Sequence, residues 1–220
     1  MSDLTILCVT DARPHSARFI AEMAVLAGAL SAHLALVADG DEATERIRDA
    51  GYFCQTVKST GDIGSVLDEA LDYCPPGYVL RLDDDETASP ALMRWLTARD
   101  YRAADHWRFP RMWLWPSMRS FITNAPVWPD HQTRLSIKEK SGNRPLIHQG
   151  SPYGAGELAP FAVIEHWKLL LHTLEERRAI VARYDSLQAD AGTLCRSHYV
   201  PEDFFEESLK TANVAEAIAA

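Results

Sequence analysis

Up to Leu82 the chain alternates short apolar runs with helix-periodic segments, and no other feature restricts its fold as much. Leu4 to Val9 reads as a strand buried on both faces. Ser16 to Leu30 sets Phe19, Ile20, Met23, Leu26 and Leu30 at helical spacing. His33 to Val37 is a second strand, Glu42 to Ala50 a second helix, and Phe53 to Val57 a third strand. A third helix opens at Thr60-Gly61-Asp62, with Ile63, Val66, Leu67, Ala70 and Leu71 along one face. Pro75-Pro76-Gly77 stops it, and Tyr78 to Leu82 is the fourth strand. Such a series predicts an α/β fold, a mostly parallel central sheet flanked by helices. Ligands of open sheets of this kind bind outside the carboxyl ends of the strands.

Those ends are acidic. Asp11 follows the first strand, Asp39 the second, and Asp83-Asp84-Asp85-Glu86 the fourth. Asp is an ordinary turn residue, so each alone means little; their shared location is the signal. Four adjacent carboxylates repel one another, and burying them unpaired costs several kcal/mol or more. A cation is expected there, and hard Mg²⁺ or Mn²⁺ takes carboxylate oxygens. No GxGxxG follows the first strand and no GxxxxGK[ST] occurs, which argues against dinucleotide oxidoreductases and P-loop enzymes. Carboxylates can instead bind a base or ribose while a metal neutralises a diphosphate.

Composition excludes other classes. The net charge of −9 makes backbone-directed nucleic-acid binding a poor fit. Cys8, Cys54, Cys74 and Cys195 form no CxxC pair and read as buried free thiols. The start of the chain lacks the pattern of a signal peptide, and no apolar stretch is long enough to span a bilayer. The expectation is a cytoplasmic protein.

Beyond Glu86, Ser89-Pro90 is a helix start with Ser as cap. His106 to Pro129 is rich in aromatics and prolines, read as a second layer of core, with an aromatic floor for a sugar as the functional alternative. Thr173-Leu174-Glu175-Glu176 is a capping box opening another helix. From Asp185 the pattern is weak, and Val214 to Ala220 is an Ala-rich end. The expectation is one domain, with a nucleotide half over residues 1–125 and a second half over residues 126–220 packed beside it.

Taken together these residues resemble the family 2 glycosyltransferases of the GT-A fold, over roughly residues 4 to 184. Leu82-Asp83-Asp84-Asp85-Glu86 looks like the family's L-D-x-D-E, and Val37-Ala38-Asp39-Gly40 is similar to its V-D-D-G. Asp68-Glu69-Ala70-Leu71 stands where relatives carry N-x-A-L, with Asp in place of Asn. Pro129-Asp130-His131-Gln132-Thr133-Arg134-Leu135 resembles P-D-x-Q-x-R-L, and His166-Trp167 a late His-aromatic pair. The ordered set is more specific than any one motif.

The resemblance implies a metal-dependent inverting transfer of a sugar from a nucleotide-diphospho-sugar, with UDP as the expected nucleotide, to a glycan, protein or other hydroxyl-bearing acceptor. It implies Asp85 on Mn²⁺ or Mg²⁺, Asp83 beside it, and His166 completing the shell, with His148 as competitor. Asp11, Asp39 and Asp68 would contact the nucleotide, and Arg134 would hold the diphosphate or brace the acids. Asp130 is the candidate base, with Glu86 as its rival. The alternatives are a sugar-phosphate nucleotidyltransferase and a non-catalytic nucleotide-binding module of the same fold.

Overall fold

A computed structural model describes residues 3–60, 63–141, 156–187 and 191–215. The expected series is present. Strand β1 (Leu4–Thr10) leads to α1 (Ser16–Leu30), β2 (His33–Asp39), α2 (Asp41–Asp49), β3 (Gln55–Val57), α3 (Leu67–Asp72) and β4 (Tyr78–Arg81). These four strands are mutually parallel, in the spatial order β3-β2-β1-β4. Alternate β1 residues serve opposite faces. Leu4, Ile6 and Cys8 join the larger core with Phe19, Ile20 and Met23 of α1. Leu7 and Val9 join Leu67 and Ala70 of α3. The period-2 alternation is buried on both sides, as a parallel sheet between helices requires. Each such large apolar side chain contributes about 1.5–3 kcal/mol when buried.

The rest of the chain extends the same sheet. After β5 (Glu86–Ala88), helix α4 (Pro90–Ala98) begins as expected: the Ser89 hydroxyl accepts the Leu92 N–H at 3.2 Å, with Pro90 in the first turn. Then come β6 (His106–Trp113), β7 (Ser120–Ile122), β8 (Asp130–Ile137), β9 (Glu157–Leu158) and β10 (Ile164–His166). Strand β8 lies antiparallel between β4 and β6, and β10 runs parallel to β6. The amino end of β8 and the carboxyl ends of β1, β2, β4, β6 and β10 therefore share one edge of the sheet. Most of the aromatic stretch is core, with Phe109, Trp113 and Phe121 almost fully buried.

Helices α5 (Lys168–Leu171), α6 (Leu174–Leu187), α7 (Ala191–Tyr199) and α8 (Pro201–Phe205) come next, and β11 (Thr211–Asn213) pairs with β7. The capping box forms: Glu176 accepts the Thr173 N–H at 2.7 Å, and the Thr173 hydroxyl accepts the Glu176 N–H at 3.3 Å. Two segments differ from the sequence expectation. The third helix starts as a 3-10 turn, Ile63–Val66, and becomes α-helical only at Leu67, because Gly64 and Ser65 are weaker helix formers than Leu67, Glu69, Ala70 and Leu71. The weakly patterned stretch after Asp185 holds two helices and a strand; β11 is held by backbone pairing, which leaves little side-chain signal. His148, the Gly150–Gly156 loop before its last glycine, and residues 216–220 lie outside the described residues. The four cysteines are free and buried, as expected. No described helix is long and apolar enough to cross a membrane.

Candidate functional site

The acidic run at the end of β4 is divided among three sets of partners. Asp83 and Glu86 face guanidinium groups. Both Asp83 oxygens meet Arg134, at 2.6 and 3.3 Å, and Arg81 Nε lies 3.6 Å away. Glu86 Oε1 accepts from Arg134 at 2.5 Å and from Arg111 at 3.1 Å, while Oε2 accepts the Asp83 N–H at 3.0 Å. Arg111 continues to Asp130 Oδ2 at 2.6 Å. The result is an alternating ladder, Arg81–Asp83–Arg134–Glu86–Arg111–Asp130, built across β4 and the turn after it, β5, β6 and β8. Burial alone would raise the Asp83 carboxyl, but Arg134 and Arg81 outweigh it and hold the group well below the usual range.

Asp84 turns the other way. Its Oδ2 accepts the Thr10 hydroxyl of β1 and the Ser16 hydroxyl of α1, each at 2.5 Å. Burial and the neighbouring Asp85 charge raise its pKa, and the two hydroxyls offset only part of that. Asp85 points toward the second half of the chain. Its backbone oxygen accepts the Trp167 N–H at 2.8 Å, and His166 pairs in register with Glu86 across β10 and β5. This pairing brings His166 Nε2 to 3.2 Å from Asp85 Oδ1. Lys168, the first residue of α5, sets its Nζ 3.1 Å from Asp85 Oδ2. Burial pushes Asp85 up, but Lys168 and His166 pull it well below the ordinary carboxyl value. Lys168 is raised in turn: burial disfavours its charge and the Asp85 carboxylate outweighs that.

The outer positions are lighter in contacts. Asp39 accepts the Ser59 N–H at 2.8 Å and the Ser59 hydroxyl at 2.5 Å. Asp11 pairs with Arg13 at 2.8 Å, both partly exposed. Asp68 is exposed in the first turn of α3, where a carboxylate suits the amino end of a helix. His15 and His172 stack edge-to-face, with centroids 5.2 Å apart. Burial, with Lys168, Arg13 and His15 nearby, lowers His172 to about 4.

The expected site residues thus separate. Asp85 and His166 come together; Asp83, expected beside them on the metal, is instead taken by Arg134. Arg134 is itself almost fully buried and braces the acids. Glu86 is fully buried at the centre of the ladder. Asp130 accepts from Arg111, from Trp113 Nε1 at 2.9 Å and from Gln132 at 2.7 Å, and Arg111 outweighs its burial to keep its carboxyl well below the usual range. Sequence reasoning missed Arg81, Arg111 and Lys168. Arg81 was visible beside the acids, and Lys168 two residues after His166; Arg111 had no local signal.

For a divalent cation the fit is partial. Asp85 Oδ1 is buried, with His166 Nε2 at 3.2 Å beside it, and His166 Nδ1 is buried without a hydrogen-bond partner. A hard carboxylate oxygen beside an imidazole suits Mn²⁺ or Mg²⁺. No group of three or more acidic, His or Cys side chains among the described residues converges to hold a metal without further ligands. Mg²⁺ sites are commonly of this kind, one or two carboxylates completed by water and substrate phosphates.

No family model matches the chain, and no curated protein matches it. It is similar to the solved structure of S. aureus TarS, at 12% identity over 93% of this chain and 44% of that chain, with a TM-score of 0.47. It is also similar to S. aureus TarS 1-349 in complex with UDP-GlcNAc, at 13% identity, 93% of this chain, 73% of that chain and a TM-score of 0.41. A putative glucose-1-phosphate thymidylyltransferase from Bacillus anthracis in complex with a sucrose is similar at 9% identity, 98% of this chain, 94% of that chain and a TM-score of 0.41. The strand pairing and element order themselves define an α/β fold with a central, mostly parallel sheet flanked by helices.

Proposed function

We propose that the chain is an inverting glycosyltransferase that takes its sugar from a nucleotide-diphospho-sugar, with UDP as the first nucleotide to test. One observation carries this reading. The ends of β1, β2, β4, β8 and β10 bring Asp11, Asp39, Asp84, Asp85, Asp130, His166 and Lys168 to a single sheet edge, and the sequence has no GxGxxG after β1 and no GxxxxGK[ST]. Asp39 and Asp11, with Asp68 from α3, would face the base and ribose. Asp85 and His166 would hold Mn²⁺ or Mg²⁺, which when bound offsets charge on the diphosphate.

In the transfer the acceptor oxygen bonds to the anomeric carbon. The bond from that carbon to the diphosphate breaks, and its electron pair stays on the diphosphate oxygen. The acceptor proton passes to a carboxylate. Of the two expected bases, Asp130 retains slight exposure and Glu86 none. Asp130 is therefore the proposed base; it must give up a donor, with Gln132 the lightest, when the acceptor arrives.

Calorimetric titration with UDP, GDP, CDP and dTDP, with and without Mn²⁺, tests the reading. The expected result is saturable binding of one nucleoside diphosphate and slow hydrolysis of the matching nucleotide-sugar. No binding by a folded sample refutes it, and pyrophosphate release from a nucleoside triphosphate and a sugar phosphate replaces it with nucleotidyl transfer.

A further inference from the structure

The expected metal ligand Asp85 already has a cation on it. Lys168 Nζ sits 3.1 Å from Oδ2 and 5.0 Å from the centre of the Tyr199 ring. Its side chain is 18% exposed. Asp85 is 3% exposed, and its other oxygen lies 3.2 Å from His166 Nε2. A bare divalent cation approaching Asp85 and His166 must displace this ammonium, or share one carboxylate with it against like-charge repulsion. Moving Lys168 off with nothing to receive it leaves a buried ammonium unpaired, which is costly.

A diphosphate changes that balance. It gives the ammonium a new anionic partner, and Lys is a compact point charge on a flexible stem that can follow one. The acids named along this sheet edge outnumber the cations Arg13, Arg81, Arg111, Arg134 and Lys168. A diphosphate therefore meets a net negative rim and needs added positive charge, which a divalent cation on the vacated Asp85 would supply. Each ligand removes the obstacle to the other, which is a coupling free energy between two sites and is reciprocal.

We propose that Lys168 is an exchangeable counter-ion, paired with Asp85 in the ligand-free chain and with the donor diphosphate once nucleotide and cation bind together. This rests on the nucleotide-sugar reading above and adds an order to it: cation and diphosphate bind as a cooperative pair.

The test is calorimetry with Mn²⁺ alone, UDP alone and each in the presence of the other, on wild type, Lys168→Met and Lys168→Arg. In wild type, Mn²⁺ alone is expected to bind at least tenfold more weakly than with UDP saturating. Lys168→Met is expected to move the two ligands in opposite directions: Mn²⁺ alone binds tenfold or more tighter, and UDP with Mn²⁺ binds tenfold or more weaker. A residue needed only for packing would weaken both. Lys168→Arg keeps the charge and is expected to keep weak binding of Mn²⁺ alone, and Asp85→Asn abolishes Mn²⁺ binding in every background.

Equal Mn²⁺ affinity with and without UDP in wild type overturns the proposal, whether or not the Met variant folds. So does a Met variant that folds and leaves Mn²⁺ affinity unchanged. Both results leave the nucleotide-sugar reading standing, because UDP still binds. Absence of UDP binding under every condition overturns that reading and the exchange with it.

Discussion

Replacing Glu86 with Gln separates two roles for this carboxylate. Glu86 is fully buried and accepts three hydrogen bonds, two from guanidiniums and one from the Asp83 N–H. Gln has nearly the same shape but carries an NH₂ where one carboxylate oxygen stood. In one orientation that NH₂ opposes the Asp83 N–H; in the other it opposes Arg134 and Arg111. Either way a buried donor meets a donor, and two guanidiniums lose the charge between them. Removing one partner of a buried ion pair costs about 3–5 kcal/mol. For a chain of this size that corresponds to a fall in melting temperature of roughly 6–20 °C. Urea unfolding is the more direct assay, with the midpoint lowered and the slope unchanged. If Glu86→Gln unfolds with the wild-type midpoint while sugar transfer is lost, Glu86 is the base and the ladder is not what holds this edge together.

Two other parts of the molecule give further outcomes. His172 titrates at about 4 in the folded chain against about 6.5 unfolded; between those values the unfolded chain binds more protons, so stability is present above about pH 6.5 and declines as pH falls toward 4. Unfolding midpoints across that window should show the decline, and His172→Gln should make it shallower; an equal slope in both refutes the assignment. Gly77 has φ +122°, and an added Cβ would lie 2.5 Å from the Asp3 backbone oxygen, which itself accepts the Tyr78 N–H at 2.7 Å. Gly77→Ala should destabilise by about 1–3 kcal/mol in urea unfolding, and an unchanged midpoint would show that the entry into β4 is not strained.

Much of the frame was legible in the chain. The helix over Ser16–Leu30, the Ser89 cap and the Thr173–Glu176 capping box occupy the expected residues, since each depends on neighbours a few positions away. The strand ends were legible for the same reason, and with them the placement of Asp11, Asp39 and the acidic run. The start of α3 and the pairing of β11 with β7 were not, one because Gly64-Ser65 weakened a local signal and the other because backbone pairing leaves no side-chain period.

By itself the sequence determined that four adjacent acids stand at a strand tip and must find positive charge, because carboxylates cannot be crowded and desolvated alone. Only the tertiary structure decided which cations answer them. Arg111 and Arg134 come from β6 and β8, brought beside β4 by sheet order, and Lys168 arrives because β10 pairs with β5 in the register that sets His166 opposite Glu86. That choice turns on strand neighbours 25 to 83 positions away in sequence, a distance at which periodicity and motif spacing carry no information. It separates Asp83, held by arginine, from Asp85, held by His166 and Lys168.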